Sequence, residues 1–135
     1  MQLNFRTEFS FGKNTDFVNK IKAKIKIHTM RTDIHNFWKV GEKIEFISES
    51  KRKTLKRFAD GICTEILFLG IEPQNKKVLN LKKNLYYGSE RTLSEIEIEK
   101  LAYNDGFDSV EDFWLYFNKA ENKTVKLIFW DLVKC

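Results

Sequence analysis

The sequence predicts a single α+β domain over residues 1–135, built as a small β-barrel of about six strands flanked by three short helices. Three observations lead to it. Hydrophobic periods of two and of about 3.6 residues are mixed along the chain, without the regular strand–helix–strand alternation of a parallel sheet. One Pro and six Gly in 135 residues leave no stretch that reads as a linker. Finally, 42% hydrophobic residues, with Phe alone contributing twelve, suit one globular core in a chain of this length.

The elements follow in order. Leu3, Phe5, Phe9 and Phe11 suggest an opening extended segment. Asn14 or Thr15 can cap a short helix with Phe17, Val18, Ile21 and Ile25 on its apolar side. Around Lys24 the period changes to two, which marks a helix-to-strand junction. Val40-Gly41-Glu42 reads as a turn, and Lys43–Glu49 as a strand with Ile44 and Phe46 inward. Lys51, Arg52, Lys53, Lys56 and Arg57 form a charged connection. Gly61–Glu72 is nearly all apolar, the pattern of a strand buried on both faces. Asn80–Thr92 resembles a hairpin turning near Gly88-Ser89.

Ser94 with Glu97 forms a capping box before Ile98, Leu101 and Ala102, and Asp105-Gly106 stops that helix. Ser109 with Asp112 opens a second one, whose apolar face carries Val110, Phe113, Trp114 and Phe117. Thr124–Trp130 closes the domain as a strand.

Net charge is +5, unevenly spread. Residues 1–60 hold fourteen Lys or Arg against seven Asp or Glu, whereas residues 61–135 hold ten against twelve. A basic first half points to a polyanion partner. No apolar run approaches the roughly 20 residues that span a bilayer, and the N-terminus lacks the apolar centre of a signal peptide, so a cytoplasmic protein is expected. Two cysteines, Cys63 and Cys135, and two histidines, His28 and His35, sit at unrelated spacings. That gives neither a disulfide framework nor a zinc pattern, and no metal or other cofactor is expected.

Three segments carry a resemblance. Lys26-Ile27-His28-Thr29-Met30-Arg31 looks like the signature of ASCH domains: a Lys, a Thr or Glu three residues on, then an Arg, leaving a helix and entering a strand. Phe37-Trp38-Lys39-Val40-Gly41-Glu42 resembles the family's step into the next strand. Asn104 to Phe113 resembles its inter-helix linker. The likeness covers residues 15–130 in order. It implies a PUA-like β-barrel with a cleft for RNA or nucleotides. Some members are similar to a bacterial amidohydrolase that deacetylates acetylated cytidine, and its functional residues carry over onto Lys26, Thr29 and Asp105. In that enzyme the last position is Glu. One departure concerns Lys24, where many members have Gly; a non-glycine residue there is expected to avoid a positive φ.

Each candidate has a plainer reading beside it. Thr29 is a nucleophile if Lys26 takes its proton, or an ordinary strand threonine. In a regular strand Lys26 and Thr29 face opposite ways, so they converge only if Lys26 precedes the strand. Arg31 shares the face of Thr29 and either grips a phosphate or carbonyl or pairs with Asp33. Asp105 orients Lys26 or simply makes an Asp-Gly turn. His28 contacts a ligand or is structural; Trp38 stacks on a base or packs in the core. Lys51, Arg52, Lys53, Lys56 and Arg57 track phosphates or line a solvated loop. The leading expectation is an RNA- or nucleotide-binding domain. The alternatives are a nucleoside amidohydrolase using the same cleft, and a protein-interaction module without chemistry.

Overall fold

The computed structural model describes residues 1–33, 35–117 and 121–134; Cys135, one of the two cysteines weighed above, lies outside them. The chain runs β1 (Gln2–Arg6), α1 (Phe17–Lys22), β2 (His28–Arg31), β3 (Lys43–Glu49), β4 (Leu55–Glu72), β5 (Lys77–Asn80), β6 (Arg91–Thr92), α2 (Glu95–Asn104), α3 (Val110–Tyr116) and β7 (Lys123–Lys134). A mixed architecture of strands with a few short helices is as expected. The closed barrel is not: the seven strands form an open, branched sheet.

β4 is the spine of that sheet. One of its edges pairs with β3 along residues 55–62 and with β5 along residues 69–72, while the other pairs with β7 along residues 60–71. β1 extends the sheet in parallel beyond β3, and β2 lies antiparallel beyond β7. β6 adds a two-residue pairing outside β5. β1 and β2 therefore present the two ends of a curled sheet to each other without a ladder between them. Arg31 crosses the seam, donating from Nη2 to the Asn4 carbonyl at 2.7 Å. A ladder needs backbones about 4.8 Å apart, and a seam wide enough for a guanidinium cannot meet that condition.

The run from Gly61 to Glu72 is not buried on both faces as its composition suggests: Gly61, Cys63, Leu67, Leu69 and Ile71 are buried, whereas Ile62 and Thr64 are exposed and Ile66, Phe68 and Gly70 are half-buried. Leu67, Leu69 and Ile71 of β4 join Val125, Leu127 and Phe129 of β7 and the inner faces of α2 and α3 in one core. Cys63 of β4, Ile128 and Trp130 of β7, and Leu3, Phe5, Ile44 and Phe46 form a second core inside the curl. Each fully buried Leu, Ile or Phe contributes on the order of 1.5–3 kcal/mol. Register shifts between Asp60 and Gly61 and between Cys63 and Glu65 bend β4 so that one strand serves both layers.

Several boundaries differ from the sequence reading. β4 begins at Leu55, so Lys56 and Arg57 lie in a strand and only Lys51–Lys53 remain in the connection. Ladder pairing with Ser48 and Ile47 overrides the charged composition there. The Asn80–Thr92 segment is mostly a loop between two short strands, pinned by the Asn84–Gly88 bridge. α1 ends at Lys22 and leaves Ile25 37% exposed. Its first turn has no side-chain cap, although Asn14 and Thr15 accept from the backbone N–H groups of Asp16 and Phe17. The capping box of Ser94 and Glu97 is complete, and Ser109 accepts from the Asp112 N–H.

Candidate functional site

Two helix ends build the site. After α1, Ala23 is the C-cap and Lys24 follows at φ 60°. The Lys24 N–H bonds to Ile21 O at 3.0 Å and the Ile25 N–H to Lys20 O at 2.8 Å, the paired bonds of a Schellman motif. The positive φ that lysine was expected to avoid is therefore present, because those two bonds offset the cost of a left-handed residue with a side chain. α2 ends the same way. Gly106 stands at φ 93°, with its N–H bonded to Tyr103 O and the Phe107 N–H to Ala102 O, each at 3.0 Å. Here glycine is required twice over: a Cβ would lie 2.9 Å from both Lys26 Cδ and Phe17 Cε1.

The two turns deliver Lys26 and Asp105 to one point. Lys26 precedes β2, so it escapes the strand's alternation and turns inward, where it is 1% exposed. Its ammonium donates to His28 O at 2.9 Å and Asp105 O at 2.5 Å, and lies 3.7 Å from Asp105 Oδ2. It also sits 4.5 Å from the centre of the Phe17 ring, a favourable cation–π distance. Burial is the strongest influence and lowers its pKa from 10.5 to about 8; Asp105 opposes the shift, and Arg31 and Lys20 reinforce it. The Ile27 N–H bonds to Asn104 O at 2.9 Å and Lys20 Nζ to Gly106 O at 2.7 Å, clamping the turns together.

His28 lies beneath this pair. Its Nδ1 is 2.8 Å from Asp105 Oδ1, and its ring packs edge-on to Phe129 at 4.9 Å. Burial lowers its pKa despite the Asp105 hydrogen bond, which keeps the ring neutral. A carboxylate only accepts, so the ring proton belongs on Nδ1, and Nε2 is left buried without a partner. His28 therefore orients Asp105 and does not line the cavity.

The cavity, about 350 Å³, opens at the seam between β1 and β2. Asn4, Phe5 and Arg6 form one wall and Thr29, Met30 and Arg31 the other, with Lys26, Asp105, Phe17, Phe107 and Tyr116 deeper or flanking. The Thr29 hydroxyl accepts from Arg31 Nε at 3.4 Å; no hydrogen bond joins it to Lys26 among the described residues. Arg31 stacks 4.9 Å over the Phe5 ring. Burial pushes the Arg31 guanidinium below its usual range, with Tyr116 and Asp105 opposing. The arrangement offers fixed donors and one carboxylate beside aromatic faces, which suits a flat polar ligand.

Lys26, Thr29, Arg31 and Asp105 thus meet in one cavity, with His28 behind them. Trp38 does not join them; it packs against the second core, its backbone N–H held by Asp33 Oδ2. The Arg31–Asp33 pair is not formed either. Asp33 instead binds Lys126 at 2.7 Å and the N–H groups of Phe37 and Trp38. Burial alone would raise the Asp33 pKa, but these bonds together bring it down to about 2. The basic cluster divides. Lys51 and Lys53 border a groove beside the cavity, while Lys56 and Arg57 line a separate depression with Lys22, and Arg57 is engaged by Asp60. Arg52 is exposed in the turn and lines neither.

The aromatic lining escaped the sequence reading. The sequence places Phe5 and Phe9 in an extended segment, Phe17 on the apolar side of a helix and Phe107 in the inter-helix linker, and only the seam brings all four rings to a cavity. Among the described residues no three His, Cys, Asp or Glu side chains converge as metal ligands, and no helix is long and apolar enough to cross a membrane. The chain matches no protein-family model, no curated protein and no solved structure.

Proposed function

We propose that this is an RNA- or nucleotide-binding domain of the cytoplasm, which accepts one nucleoside unit in the cavity between β1 and β2. The observation that carries the reading is the buried Lys26–Asp105 pair at the floor of a cavity walled by Phe5, Phe17, Phe107 and Tyr116. Aromatic faces suit a base, while Thr29, Arg31 and Lys26 provide polar partners for its edge. The resemblance of Lys26–Arg31 to the ASCH signature and the basic first half of the chain support the same reading.

Calorimetry with the four common ribonucleosides and N4-acetylcytidine tests it. At least one should bind, and Thr29→Val, which keeps the shape and removes the hydroxyl, should weaken it about tenfold, the loss expected for one hydrogen bond. Absence of binding to any of them overturns the proposal and leaves a protein-interaction module.

One observation favours hydrolysis as a second reading. At a pKa of about 8 roughly a tenth of Lys26 is neutral amine at pH 7, enough to act as a base in the same cavity as Thr29. The Thr29 oxygen would attack the acyl carbon of acetylated cytidine while Lys26 takes its proton and passes it to the leaving amine. Water would then release acetate. Acetate release by the wild-type chain, abolished in Thr29→Val, is the expected result; binding without release removes this reading and keeps the first.

A further inference from the structure

Beside the cavity runs a groove of about 320 Å³ that the nucleoside reading leaves empty. The two concavities share Arg6, Glu8, Phe9 and Ser10, so they are neighbours across one thin wall. That wall is the 8–14 loop, tied by the Phe9 N–H to Lys13 O at 2.8 Å and the Gly12 N–H to Phe9 O at 2.9 Å. Phe9 anchors it, stacking on Phe107 at 5.4 Å. The far bank is the β3–β4 turn, which carries Lys51 and Lys53.

Arg6, Lys51 and Lys53 outnumber Glu8 and Glu49 along the groove, so its lining is net positive. Among the described residues, the carboxylates near the chain's other cations are engaged elsewhere: Asp108 and Asp112 with Lys13, Asp60 with Arg57, Asp33 with Lys126. Lys51 and Lys53 take part in none of these pairs. Arg6 lies 3.7 Å from Glu49 but is mostly exposed, an arrangement that leaves its guanidinium available. The turn itself is ordered. Ser50 accepts the Lys53 N–H through its carbonyl at 2.8 Å and the Thr54 N–H through its hydroxyl at 3.0 Å. Within it Lys53 holds φ 60°, a conformation glycine would adopt with less strain. Lys53 thus lines the groove from a hydrogen-bonded turn, and among the described residues its ammonium is in no ion pair.

We propose that the ligand is a phosphorylated nucleoside, free or as one unit of a single strand. Its phosphate leaves the cavity over Ser10 and lies in the groove against Arg6, Lys51 and Lys53. The proposal rests on the nucleoside reading of the cavity and adds a direction to it: the phosphate runs toward the β3–β4 turn and not toward Lys56 and Arg57. A phosphate there would compete with Glu49 for Arg6 and gain charge-assisted bonds from both lysines.

Calorimetry with the four ribonucleosides, their 5′- and 3′-monophosphates and a trinucleotide separates the two readings. For the wild-type chain, one monophosphate series should bind at least tenfold more tightly than the parent nucleoside, with an advantage that shrinks as salt rises. Lys51→Gln/Lys53→Gln should erase that advantage and leave nucleoside affinity unchanged. Lys56→Gln/Arg57→Gln, on the other depression, should keep it. Equal affinity for nucleoside and both monophosphates, or equal losses in the two double variants, overturns the groove proposal while the cavity reading stands. Binding of no probe at all overturns both. A trinucleotide that binds more tightly than either monophosphate assigns the phosphate to a strand, and the reverse assigns it to a free nucleotide; either outcome supports the groove.

Discussion

Replacing Lys26 by Met should abolish a rise in stability with pH that the wild-type chain shows above neutrality. In the native chain Lys26 titrates near 8, against 10.5 for the ordinary group. Because the folded pKa is lowered, the native state releases this proton before the unfolded state does. Between these two values the unfolded chain holds more protons, and stability increases with pH. Each pKa unit is worth about 1.4 kcal/mol, so the whole interval amounts to roughly 3 kcal/mol and the span from pH 7 to 9.5 to about 2 kcal/mol. Burial also raises the Tyr87 hydroxyl and the Cys63 thiol, which act in the opposite sense at the alkaline end. Both groups remain in the variant, so their effects cancel when the two proteins are compared. Met matches the length of lysine and adds no charge, though it leaves the His28 and Asp105 carbonyls without a donor. That loss lowers stability by a similar amount at every pH and does not alter the slope. Urea titrations at pH 7, 8, 9 and 9.5 provide the measurement. With about 2 kcal/mol at stake and a urea dependence of 1–3 kcal/mol per molar, the wild-type midpoint should climb by about 1 M relative to the variant. Parallel profiles, within about 0.5 kcal/mol over the range, would show that the Lys26 ammonium is not held in a desolvated state.

The helix ends give two further tests. Gly106→Ala should cost about 2–5 kcal/mol, from the left-handed backbone and from a Cβ forced against Lys26 and Phe17, read as a large fall in the urea midpoint. A loss under about 0.5 kcal/mol would contradict that packing. Lys24→Gly, at the equivalent place after α1, should stabilise by about 0.5–1 kcal/mol, since the same φ then carries no side-chain penalty. A lower melting temperature would argue against the Schellman geometry there.

Much of the fold was legible because local patterns and tertiary contacts agree. The Ser94–Glu97 box and the Gly106 stop bound α2 as read, and Lys43–Glu49 is a strand with Ile44 and Phe46 inward. The failures come where distant residues decide. Lys56 and Arg57 look like loop residues, yet their backbones are committed to the β3 ladder. A closed barrel is the natural guess for this many short strands, but closure depends on whether β1 and β2 pair, and no residue within either strand declares that. At the site, the convergence of Lys26 and Asp105 could be anticipated from the junction before β2 and the stop after α2. The role of His28 could not, since its partner is 77 positions away in the chain. Phe9 reads only as part of an extended segment and Phe107 only as linker, because which rings edge the cavity is set by how β1, β2 and the helix ends pack together and not by any local pattern.

The two Schellman turns have a consequence for how the protein comes to exist in its working form. Lys26 and Asp105 are separated by 79 positions, and each is set in place by a helix that stops, not by a strand that continues. Bringing them together closes a long loop, whose entropic cost is met only once the contacts on both sides of it form. A nascent chain that has emerged only through β4 can pair β1, β3 and β4 but lacks both the β7 partner of β2 and the carboxylate that meets its buried amine. The cavity floor is consequently a late product of folding, completed when α2 docks. A chain trapped short of that step would keep most of its sheet and have no site.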